Sequence, residues 1–162
     1  MNNGLSKTSI TDRLLEILGV AGMLLLVALP AFFFNKLPDS IPVHFNITGE
    51  PDSYGSRNTI WMLPAIGFFL FLTIVFIPKI LINYGNTDFN ETVKKNIFIK
   101  AVRMLRIVNM LTVFMFSSIV YYTILLSLEK PTGFWRYSTL FFLILIFLVV
   151  VYFLIIIRKN KK

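Results

Sequence analysis

The chain has 162 residues, of which 56% are hydrophobic and 15% charged, with a formal net charge of +8 and a mean hydropathy of +0.75. It contains no cysteine and one histidine, His44, which excludes disulfides, thiolate metal sites, a cysteine nucleophile and a histidine-cluster metal centre. The positive balance accompanies long apolar runs, so it reads as membrane topology and attraction to anionic headgroups, not as a nucleic-acid surface.

Four uncharged apolar runs cover residues 17–35, 58–78, 107–128 and 137–157. A helix rising about 1.5 Å per residue needs ~20 apolar residues to cross a hydrocarbon core ~30 Å thick, so each run is long enough to span. Too little polar sequence remains for a separate soluble domain. The expected fold is an all-α membrane domain over residues 1–162, with helices at about 14–35, 58–81, 89–128 and 137–158.

Lys7 and Arg13 precede the first run in the manner of a signal peptide. The run exceeds the length of an h-region and no A-x-A site follows, so a retained first helix is expected. Gly19, Ala21, Gly22 and Ala28 offer a neighbouring helix a close approach. Glu16, about a turn inside the membrane edge, is expected to be hydrated or paired with a base from the middle loop. Pro30 and Pro64 fall near one end of their helices, where a lost backbone bond is most easily rescued.

The segment 36–59 reads KLPDSIPVHFNITGEPDSYGSRNT. Ile41, Val43, Phe45 and Ile47 alternate with Pro42, His44, Asn46 and Thr48, which predicts a short extended strand. Pro42 cannot donate to a ladder, so the strand is an edge or is unpaired on that side. Gly49-Glu50-Pro51-Asp52 has turn chemistry, with Gly49 suited to positive φ. Ser56, Asn58 or Thr59 then caps the second helix. A connector specified in this detail is expected to form a compact strand-and-turn lid.

In the middle loop, Asp88 as N-cap and Glu91 three residues later form a helix start signal. Phe89, Val93, Ile97 and Ala101 recur at i+4 beyond it, with Lys94, Lys95, Lys100 and Arg103 among them. An amphipathic helix with its bases at headgroup level, running on into the third span, is expected. Arg106, Asn109 and Ser117 share one face of that span and are expected to turn into the bundle. The fourth run is almost wholly Leu, Ile, Val and Phe and is expected to face lipid.

Twelve of the sixteen lysines and arginines lie in the N-terminal segment, the middle loop and the tail; Lys36, Arg57, Lys130 and Arg136 lie in the other two loops. This asymmetry predicts cytoplasmic termini and an external lid. Trp61, Trp135 and Tyr137 fall at the lid-side interface.

The pattern Leu37-Pro38, Ile41-Pro42, His44-Phe45-Asn46, Gly49, Pro51-Asp52, Gly55-Ser56 and then Pro64 resembles the bacterial domain of unknown function 1648. That domain forms the N-terminal part of SdpI-type immunity membrane proteins. The resemblance covers residues 17–80 closely. It implies a multi-pass protein of the bacterial cytoplasmic membrane, and, by its type member, protection against a secreted peptide toxin and capture of a cytoplasmic repressor. SdpI carries a further membrane segment after the domain, whereas four helices are expected here.

Three functions are weighed. The first is a non-enzymatic module whose lid residues Pro38, Pro42, His44, Phe45, Asn46, Gly49, Asp52 and Tyr54 engage a ligand such as a membrane-active peptide, with Lys94, Lys95, Lys100 and Arg103 at the anionic lipid surface and a protein partner on the basic face. The second is an enzyme or metal site at the outer interface, using His44 with Asp39, Glu50 or Asp52. The third is a transporter, disfavoured because no acid lies near the middle of a span. No cofactor is expected.

Overall fold

A computed structural model describes the backbone of residues 9–84 and 92–159, and their side chains outside 77–96 and 157. The Asp88 and Glu91 start signal and the Lys94 and Lys95 side chains lie outside the described residues.

Among the described residues, four helices are long and apolar enough to cross a membrane: α1 (Ile10–Phe33), α2 (Met62–Tyr84), α3 (Thr92–Ser127) and α4 (Ser138–Lys159). Helix α1 begins at Ile10, four residues before the expected start at about residue 14. The Ser9 backbone N–H donates to the Asp12 carboxylate at 3.3 Å, which satisfies a donor at the helix start and lets a polar turn precede the apolar stretch. Short 3₁₀ turns at Phe34–Lys36, Arg57–Trp61 and Gly133–Tyr137 join the spans to their loops. Ser56 caps the second of these, its hydroxyl accepting from Asn58 N–H at 3.4 Å.

Helix α3 lies at the centre, packed against α1, α4 and α2, while among the described residues α2 and α4 have at most marginal contact with each other. Gly22 lets α1 approach α3, since a Cβ there would lie 3.2 Å from Val113 Cγ1. Gly67 similarly admits Leu26, which is wholly buried where three helices meet. Of the small residues in α1, Gly19 and Gly22 face partners, whereas Ala21 is exposed. Only about 6% of the apolar window of α4 is buried. Such a continuous apolar exterior is not tolerated in water, so the chain is a multi-pass membrane protein.

Between α1 and α2 a two-stranded antiparallel sheet forms the lid: β1 (Ser40–Phe45) and β2 (Pro51–Ser56). The second strand, rich in Pro, Ser, Asp and Gly, has no alternating apolar pattern, and Pro51 and Asp52, expected in the turn, are its first two residues, paired with β1 across a turn that closes earlier, at Asn46–Glu50. The register slips at Val43, between the Pro42–Tyr54 and His44–Ser53 pairs, and again at Asp52. Each slip inserts an extra residue and breaks the strand period. Ile41 and Pro42 are therefore both buried, Val43 and His44 both exposed, and the expected apolar face does not continue to Ile47, which is fully exposed in the turn. Leu37, Ile41 and Ile60 join Met23, Leu26, Val113, Val120 and Ile124 in one core, so the lid is continuous with the bundle.

Candidate functional site

The turn of the lid is built by Asn46. Its side-chain oxygen accepts from Thr48 N–H at 3.0 Å, the Thr48 hydroxyl at 2.7 Å and Glu50 N–H at 2.9 Å. Its backbone pairs with Glu50 O and Gly49 N–H, both at 2.9 Å. A short amide side chain does this because it mimics a backbone carbonyl folded back on its own turn. Gly49 has φ +77°, a conformation open to glycine at little cost.

Three groups from the other half of the chain hold this turn. The Tyr122 hydroxyl donates to Gly49 O at 2.6 Å. Arg136 Nε donates to Thr48 O at 2.7 Å, and its Nη2 meets Glu50 Oε1 at 2.9 Å. The Phe45 ring packs on Tyr122 with centroids 5.2 Å apart. Arg136 is aimed by the α3–α4 connection, where α3 ends with Lys130 N–H bonding back to Leu125 O at 2.9 Å and the 3₁₀ turn carries the chain toward the lid.

Beneath the lid lies a cleft of about 500 Å³. Strand β1 roofs it, α3 floors it with Ile119, Val120 and Thr123, and the lid ends of α2 and α4 wall it. It is mostly apolar, and polar groups gather toward the lid: His44, Asn46, Thr59, Tyr122, Arg136 and Thr139.

Of the eight lid residues singled out from sequence, Pro42, His44, Phe45, Asn46 and Gly49 line this cleft. Asp52 stands behind it, its Oδ1 2.5 Å from His44 Nδ1. Pro38 and Tyr54 are exposed and do not contribute to the lining. The three acids considered with His44 take separate partners: Asp52 faces His44, Glu50 faces Arg136, and Asp39 lies 3.6 Å from Arg57. Among the described residues, no three of His, Asp and Glu converge as a group able to hold a metal ion.

At the opposite end, Arg103, expected at the lipid surface, pairs with α1 while its side chain stays 37% exposed. Its Nε and Nη2 donate to Asp12 of α1 at 3.0 and 3.3 Å. Arg106 reaches Asp12 at 3.4 Å and Glu16 at 3.0 Å, so Glu16 is paired with a base from the end of the middle segment. The Asp12 side chain is only 9% exposed, and a charge so placed requires partners. Lys100 is half-buried. Asn109 and Ser117 are buried further along the same face, with the Ser117 hydroxyl donating to Val113 O at 2.9 Å and lying 3.3 Å from Gly22 O.

Tyr122 and Arg136 escaped the sequence reading. The available signals were slight: a phenol on an apolar helix end seeks a partner, and an arginine set between Trp135 and Tyr137 sits at the interface. Neither signal names the lid as the partner.

Comparison with known proteins agrees with the lid motif. The chain is 36% identical over 66 residues to an uncharacterized protein of Archaeoglobus fulgidus, an alignment covering 41% of this chain and 36% of the relative. The chain thus matches about a third of that relative's length. No solved structure gives a significant match. Residues 21–68 match the family described as Domain of unknown function (DUF1648). The stretch from the middle of α1, through the lid, to the first turns of α2 is therefore a DUF1648 domain.

Proposed function

We propose that the protein is a non-enzymatic integral membrane module whose lid and underlying cleft engage an amphipathic ligand. The carrying observation is the cleft of about 500 Å³ beneath β1, within the ~300–1,000 Å³ range of small-molecule sites, apolar below and polar at its rim. The lysine and arginine asymmetry supports an external lid. The resemblance to SdpI-type proteins makes a membrane-active peptide one class of ligand for it. The basic face at the other end, with Lys94, Lys95 and Lys100, is proposed to lie against anionic headgroups.

A second reading draws on His44 lining the cleft with Asp52 on its Nδ1, the arrangement of a base and its orienting carboxylate. The two are separable. A photo-crosslinking residue in place of Phe45, in native membranes, should capture the ligand of a binding module. Turnover of a captured molecule that is lost in His44→Gln would favour the enzyme instead.

A further inference from the structure

The charged groups around the cleft are sorted by side. Arg136 and His44 line it, and no aspartate or glutamate does. Their carboxylate partners hold them from behind, Glu50 on Arg136 Nη2 and Asp52 on His44 Nδ1. Among the described residues, Arg136 Nη1 and His44 Nε2 make no hydrogen bond. The rim therefore presents the Arg136 guanidinium, which matches phosphate geometry best, and beside it His44 Nε2, which donates to an anionic oxygen only when the ring is protonated, because Nδ1–H is taken by Asp52.

Below the rim the lining is aliphatic: Leu63, Ile66, Ile119, Val120, Leu140 and Leu143. Ile66, Leu140 and Leu143 are 45%, 58% and 50% exposed, and α2 and α4 barely meet, so the apolar part opens sideways. In a membrane that opening faces hydrocarbon, and the rim sits at the interface beside Trp135 and Tyr137.

Size separates the ligand classes. One turn of α-helix, about 5.4 Å long and ~10–12 Å across with side chains, fills a volume close to that of the whole cleft. A helical membrane-active peptide has many turns and cannot lie inside. A flexible chain threaded between α2 and α4 can.

We infer that the cleft binds one anionic lipid from the lid-side leaflet, its phosphate at the Arg136 and His44 rim and its acyl chain between α2 and α4. This inference rests on the proposed binding role and names the class of ligand.

The test uses the full chain in nanodiscs of phosphatidylcholine with a minor fraction of phosphatidic acid, and native mass spectrometry of the lipid retained after release. The wild type should keep one lipid, enriched in phosphatidic acid by about 10-fold or more, because its phosphomonoester offers the rim one further charged oxygen and carries no choline cation, a difference worth about one charge-assisted hydrogen bond. Leu143→Trp fills the apolar cleft without changing charge and should abolish retention. Arg136→Gln should remove most of the enrichment and His44→Gln a smaller part, whereas Lys100→Gln at the opposite end should leave it intact.

Equal retention of both lipids, or enrichment that survives Leu143→Trp, would overturn the inference. A peptide adduct from position 45 without lipid enrichment would also overturn it while leaving the binding role standing. Lipid enrichment that is lost in Leu143→Trp, with no peptide adduct, supports the lipid site.

Discussion

The hydroxyl of Tyr122 donates to the backbone carbonyl of Gly49 at 2.6 Å, across 73 residues of sequence. With Arg136 on Thr48 and Glu50, it ties the turn of the DUF1648 lid to α3 and the α3–α4 connection, which lie outside that domain. The two bonding residues also line the cleft, so the groups that hold the lid form part of its wall.

Tyr122→Phe should loosen the turn by about 1 kcal/mol, the net worth of one neutral hydrogen bond, or roughly 5-fold in the opened population. Arg136→Gln should loosen it more, since it removes a charge-assisted bond, although partial exposure of both partners limits the loss. The double variant should fall short of the sum because both act on one turn. Hydrogen exchange of the Thr48, Gly49 and Glu50 amides in nanodiscs measures all three. Unchanged exchange in both single variants would show that the turn holds itself.

Gly49→Ala should open the lid further than Tyr122→Phe. The residue sits at φ +77°, which costs a residue with a Cβ roughly 1–2 kcal/mol. That Cβ would also lie 2.8 Å from Arg136 O, so the connection must shift. Limited proteolysis of the lid should show Gly49→Ala cut faster than wild type and Tyr122→Phe between them.

The His44–Asp52 pair should matter modestly. Their side chains are 70% and 44% exposed, and exposed ion pairs contribute about 0.2–1 kcal/mol. His44→Ala and Asp52→Asn should each raise exchange at Tyr54 and Gly55 slightly, and the double variant little more than either. Effects that simply add would show that the two residues do not act together.

Asp12→Asn should weaken the α1–α3 contact substantially, because Arg103 and Arg106 lose the carboxylate charge they share and Arg103 Nη2 loses the oxygen to which it donates. Removing one partner of a buried pair costs ~3–5 kcal/mol. The 37% exposure of the Arg103 side chain lets water repay part of this, so a loss of roughly 1–3 kcal/mol is expected. Arg103→Gln should add little once Asp12 is gone. Thermal unfolding in detergent measures the cycle.

The lid should be external and the middle loop cytoplasmic. Because the chain has no cysteine, single cysteines at Ser53, Thr132 and Asn90 give a clean measurement with an impermeant thiol reagent. Labelling of Ser53→Cys and Thr132→Cys in intact cells, with Asn90→Cys protected, is expected. The reverse pattern would invert the topology.

Local physics made much of this chain legible. An uncharged run long enough to span specifies a membrane helix by itself, since no other open structure satisfies its backbone in hydrocarbon. Gly49 marks the turn because its effect lies within a few bonds, but Asn46 reads as a strand residue and Pro51-Asp52 as part of the turn, whereas Asn46 builds the turn and Pro51-Asp52 open β2. The lid strand was less legible: the slips at Val43 and Asp52 depend on which residues the partner strand presents, and β2 shows no pattern of its own.

What only the tertiary structure decided is which distant groups meet. Arg103 carries the same charge as its lysine neighbours, yet the packing of α1 on α3 brings Asp12 within 3.0 Å and draws Arg103 inward. Arg136 reads as a loop charge until α4 packs on α3 and sets its guanidinium on a turn 88 residues earlier. The cleft exists because α2 and α4 flank α3 without closing on each other. Apolar periodicity fixes which segments enter the membrane, but lipid is as apolar as their side chains, so the arrangement of the helices depends on small residues, ion pairs and hydrogen bonds between segments far apart in the chain.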